Sequence, residues 1–74
     1  MQTYRNLSGT SGVVRYELAE DSITVEFKKG EMYTYTEKSA GLDEVNTMKE
    51  LAEKGNGLST YISQTKPTYE RHWQ

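Results

Sequence analysis

The chain has 74 residues, a formal net charge of −2 and no cysteine. That describes one domain with neither a disulfide nor a thiolate metal site, and its charge has the wrong sign for bulk electrostatic binding of nucleic acid. Hydrophobic residues make up only 34%, and domains of this size bury roughly 60% of their unfolded surface, so a thin core is expected, with sheet on one side and helix on the other.

Residues 1–11 are polar, and Leu7-Ser8-Gly9-Thr10-Ser11-Gly12 is a small-residue stretch that reads as a flexible lead-in. It lacks the lysine and the following helix of a phosphate loop. Val13 to Leu18 reads as the first strand, with Val14, Tyr16 and Leu18 on one face and Val13, Arg15 and Glu17 on the other. A short polar connection, Ala19 to Ser22, leads into Ile23-Thr24-Val25-Glu26-Phe27, where apolar and polar residues alternate. Lys28-Lys29-Gly30 fits a hairpin loop whose glycine takes the left-handed conformation. Met32 to Thr36 follows as a third strand, with Tyr33 and Tyr35 on one face. Three strands and two short turns make an antiparallel meander. Its wet face carries Arg15, Glu17, Thr24 and Glu26, charges placed to pair across strands.

Ser39 is the expected N-cap of a helix without a capping box. Asp43 and Glu44 suit its positive end. Leu42, Val45, Met48, Leu51 and Ala52 fall three or four apart and give it one apolar stripe. Gly55 ends it. Leu58, Tyr61 and Ile62 share a face of a second, shorter helix that ends before Pro67. Residues 65–74 read as a tail holding Tyr69, His72 and Trp73. The fold expected is therefore α+β: a three-stranded antiparallel meander with one longer and one short helix on one face, the domain spanning 12–64. The expected core is Val14, Tyr16, Leu18, Ile23, Val25, Phe27, Tyr33, Tyr35, Leu42, Val45, Met48, Leu51, Leu58 and Ile62.

The ordered set of Tyr16-Glu17, a strand ending at Phe27, a lysine-glycine turn, Tyr33-Thr34-Tyr35, a helix, Gly55 and Ile62 resembles the KTSC family. That small domain is named for the C-terminal region of some lysyl-tRNA synthetases and also occurs alone in bacterial proteins. The resemblance covers roughly residues 8–62. The chain departs from the family pattern at Ser59, where an asparagine is usual, at Asn56-Gly57-Leu58, where an aromatic-rich run is usual, and at Ser11, where an aliphatic residue is usual. The function expected of such a KTSC-like chain is that of a small non-enzymatic binding or adaptor domain. Through the synthetase connection the resemblance also implies RNA binding as an alternative.

Catalytic chemistry finds little purchase in the residues themselves. His72 is the only histidine and lies in the tail, so no histidine cluster exists for a metal, and a nucleophilic triad would need that residue as its base. Asp43, Glu44, Glu50 and Glu53 read as a solvated helix face. No catalytic residue, metal or cofactor is expected. The candidate contacts for a nucleic acid or protein partner are Arg15, Lys28, Lys29, Tyr33 and Tyr35, with Lys38 near them. If Tyr33 and Tyr35 faced solvent they would form a stacking platform. The opposite face, Met32, Thr34 and Thr36, makes a poor core, so both rings are expected to face the helix. Sheet edges and the tail aromatics Tyr69 and Trp73 are the surfaces expected to meet a protein partner. The expectation is a cytoplasmic monomer or weak dimer without a membrane anchor, since no apolar run approaches the roughly 20 residues of a span and the first residues lack a signal-peptide core.

Overall fold

In a computed structural model describing all 74 residues, the elements run β1 (Gln2–Thr3), β2 (Val13–Ala19), β3 (Ser22–Phe27), β4 (Met32–Thr36), α1 (Glu37–Ala40), α2 (Leu42–Lys54), α3 (Leu58–Thr65) and β5 (Arg71–Trp73). The strands form one antiparallel sheet in the order β1-β2-β3-β4-β5. The architecture is α+β, as the alternation and the helical stripe predict. The sheet, however, has five strands where three are expected. The extra two come from the segments set outside the domain as lead-in and tail. Each is only two or three residues long, too short to show a period of its own.

The first of these segments is tied down by side chains. Tyr4 is buried at 3% exposure, and its hydroxyl accepts the Leu58 N–H at 3.2 Å. It thereby satisfies an N–H at the start of α3, where Gly57 offers no capping side chain. The Arg5 guanidinium donates to the carbonyls of Glu53 and Lys54, two of the unpaired acceptors at the end of α2. Gly55 permits this approach, since a Cβ there would lie 2.7 Å from the Arg5 Cβ and φ is +78°.

β2 carries the chief correction to strand phase. Val13 pairs with Phe27 and Arg15 with Glu26, so Val14 is the extra residue of a bulge. Two residues opposing one shift the alternation. Val13, at 1% exposure, joins Tyr16 inside, and Val14, expected in the core, is only half-buried. The Lys28-Lys29-Gly30 turn is as predicted, with Gly30 at φ +92° donating to the Phe27 carbonyl at 2.8 Å.

The first helix starts earlier than expected. Thr36, not Ser39, is the N-cap. Its hydroxyl accepts from the Ser39 N–H at 3.1 Å, and the Ser39 hydroxyl accepts from the Thr36 N–H at 3.0 Å, a capping box with serine in the place of glutamate. Gly41 then separates α1 from α2. The break brings Ala40 against the core and leaves Leu42, an expected core residue, 44% exposed. α2 buries Val45, Met48 and Ala52. Of these, Met48 and Ala52 join Leu58 in covering Ile23, Val25, Tyr35 and Tyr16 on one face of the sheet. Leu18, Phe27, Tyr33, Leu51 and Ile62 border that cluster half-buried. No helix is long and apolar enough to cross a membrane.

Candidate binding groove

Register places Ile23 beside Tyr35 and Val25 beside Tyr33, and it places Tyr33 beside His72 of β5. With a period of two, all of these side chains, and Phe27, point to the helical side of the sheet. The helices cover only part of that side. Beyond Tyr35 the surface opens into a groove of about 600 Å³, walled by Phe27, Tyr33 and Tyr35 from the strands, Ile62 and Lys66 from the end of α3, and Tyr69 from the tail. Glu31 lies on its rim, and the buried Pro67 forms part of its lining.

Tyr33 is the hub of this site. It stacks on Tyr35, with centroids 6.2 Å apart and planes 13° apart, and on His72 at 4.2 Å and 12°. Phe27 and Tyr69 meet it edge-on at 5.6 and 5.0 Å. Such arrangements match the quadrupoles of the rings and fix their orientation. Tyr35 is 3% exposed, and burial, with smaller contributions from Tyr33 and Tyr69, pushes its hydroxyl up to about 12. Burial also raises Tyr33, assisted by the nearby Glu31 carboxylate. Both hydroxyls are thus neutral over the ordinary pH range and offer the groove a donor as well as an acceptor. His72 Nε2 lies 3.9 Å from the Glu31 carboxylate, which ties the tail strand to the β3–β4 turn.

Lys66 owes its place to an unusual backbone. It is the C-cap of α3 at φ 49°, ψ 58°, with its N–H on the Ile62 carbonyl at 2.8 Å. A lysine in the left-handed region is uncommon, and the residue before a proline normally prefers extended backbone.

The five candidate contact residues do not form one site. Tyr33 and Tyr35 lie in the groove. Arg15 is on the opposite face of the sheet, where both Glu26 carboxylate oxygens accept from its guanidinium at 2.6 and 2.9 Å. That carboxylate raises the Arg15 pKa further and leaves its charge matched. Lys28 and Lys29 occupy the hairpin tip beside Gly12, and Lys38 lies on α1, past the other end of β4. No common basic patch results. The open sheet face also carries Thr24 bonded to Thr34 at 2.9 Å, and Arg71 with its guanidinium 5.0 Å from the Trp73 ring centroid. Sequence reasoning missed Lys66 as a site residue. The signal available was a lysine caught between a short helix and Pro67.

A second, smaller cavity of about 140 Å³ is walled by hydroxyls, among them Ser8, Thr10, Ser11, Ser59 and Thr60, and has no charged lining. No three histidine, aspartate or glutamate side chains come together as a metal site would require. No protein-family model, curated protein or solved structure matches the chain.

Proposed function

We propose that this chain is a small, non-enzymatic binding domain of the KTSC type, acting in the cytoplasm, that takes a short segment of a partner protein into the groove between β4 and the end of α3. The observation that carries this reading is the groove itself, about 600 Å³ in volume, with an aromatic wall built around Tyr33. Its size and apolar lining with a few polar groups are those of a recognition site. Tyrosine supplies large, rigid contact area at little entropic cost, as binding surfaces use it.

The test is selection of random peptides displayed on phage against the intact protein, with counter-selection against Tyr33→Ser. Enrichment of an aromatic motif that the variant no longer retains is the expected result. Peptides that bind both proteins equally would move the site elsewhere.

RNA binding is the second reading. It draws on Arg71 and Trp73, a cation and a stacking ring adjacent on the open sheet face. The net charge of −2 and the pairing of Arg15 with Glu26 weigh against it.

A further inference from the structure

The chemistry of the groove specifies its occupant more narrowly than aromatic surface alone. Two charged side chains wall it, Glu31 and Lys66. Glu31 has a partner, His72, at 3.9 Å. Lys66 has none: the cation–carboxylate pairs of the molecule are Met1 with Glu17 and Arg15 with Glu26, and the only basic side chain within 4 Å of Glu31 is the His72 imidazole. The remaining titratable groups facing the groove are the tyrosines Tyr33, Tyr35 and Tyr69. The cation lies at the edge of this aromatic surface, where a carboxylate carried beside a bound ring can make a charge-assisted contact with it. Its backbone adds an independent indication. The αL position at the end of a helix suits glycine, and backbone strain of this kind concentrates at ligand clamps.

We infer that the groove recognises an acidic peptide segment in which an aromatic side chain lies next to a carboxylate, the ring entering among Phe27, Tyr33 and Tyr69 and the carboxylate meeting Lys66. This rests on the reading of the groove as the binding site and adds to it the charge rule. A protein segment fits better than single-stranded RNA. A nucleic-acid strand is held by several cations tracking its backbone, and this groove is lined by a single lysine and a glutamate.

The experiment is an amide and side-chain NMR titration of the intact protein with capped hexapeptides of sequence glycine-serine-phenylalanine-glutamate-serine-glycine. Glutamine or lysine replaces the glutamate in two controls, and alanine replaces the phenylalanine in a third. The glutamate peptide should shift Tyr33, Lys66 and Tyr69 and bind about tenfold more tightly than the glutamine peptide, the worth of one charge-assisted contact. The lysine peptide should be weaker still and the alanine peptide should be lost. Lys66→Met should bring the glutamate peptide to the glutamine level, and Lys66→Arg should restore it. Because Lys66 is exposed, both variants keep the fold, which their spectra report directly. Equal affinities for the glutamate, glutamine and lysine peptides, or no change in Lys66→Met, would overturn the charge rule while leaving the groove as the site. Peptides that shift nothing in the groove at millimolar concentration would take down both. A mixed single-stranded RNA as the second arm then reports whether nucleic acid takes the segment's place.

Discussion

The two ends of the sheet's inner face obey the same strand pattern and meet different fates. Toward the β2–β3 turn, Ile23 packs in one cluster with Met48 and Ala52 and is sealed from water, and Tyr35, 3% exposed, is the ring at which that cover gives way to the groove. Lys49 reinforces that end by donating to the carbonyls of Ala19 and Glu20 in the turn. Toward the β3–β4 turn, Phe27 and Tyr33 point the same way but meet the end of α3 and the tail, and a groove remains between them. Period-two alternation says which face is apolar. It does not say how far the covering helices reach. An inner-facing aromatic is therefore core or binding surface according to helix length and the angle of the chain after it.

The largest test of this contrast is a pair of truncations. Met48 is fully buried, and Met48→Ala should cost about 3–4 kcal/mol through lost transfer energy and a residual cavity. That is a large share of the stability of so small a domain. Phe27→Ala at the open end should cost about 2 kcal/mol, less than a fully buried ring would. Denaturant unfolding with matched m-values separates the two. Equal losses would mean that the groove is as tightly closed as the core.

High pH should stress the covered end next. An unfolded tyrosine ionises near pH 10, whereas burial holds Tyr35 neutral to about 12. The folded value is raised, so the stabilisation from the neutral hydroxyl is complete below pH 10 and is lost as pH climbs from 10 toward 12. The loss should reach about 2 kcal/mol. Tyr33 and Tyr61, also raised by burial, act in the same direction. Tyr35→Phe should flatten most of the decline in thermal unfolding across that window; an unchanged decline would assign it to other groups.

What the residues disclosed in advance follows the same division. β2, β3, β4, α2 and α3 are each long enough to display a period, and the lysine-glycine turn carries its own conformational signature. The short strands do not. Gln2-Thr3 and Arg71-His72-Trp73 are strands only because β2 and β4 present edges to them. Tyr4 is core because Leu58, more than fifty residues later, requires an acceptor. The Val14 bulge is invisible to alternation because it is a break in alternation. Tyr33 and Tyr35 could be placed on the inner face from the strand pattern. The groove they wall needed the positions of Lys66 and Tyr69, which no local pattern supplies.

The N-terminal segment offers a smaller, sharper test. If Arg5 stabilises the end of α2 through the Glu53 and Lys54 carbonyls, Arg5→Ala should cost about 1 kcal/mol. Hydrogen exchange should then accelerate in the last turn of α2 and the start of α3 more than in β3. Uniform acceleration would instead make the arginine a contributor to global stability alone.

Lys66 completes the comparison with a change of opposite sign. At the covered end, every truncation should weaken the fold. At the open end, Lys66→Gly should strengthen it by about 0.5–1 kcal/mol, because glycine relieves the left-handed strain, with part of the gain offset by the freer unfolded chain. The same variant removes the groove's unmatched cation and should lose affinity for acidic segments. A domain made more stable and less able to bind by one substitution is the signature of a residue held for recognition at the expense of the fold. If Lys66→Gly lowered stability instead, the lysine's side chain would be part of the packing of α3 against the tail, and its presence in the left-handed region would need no ligand to explain it.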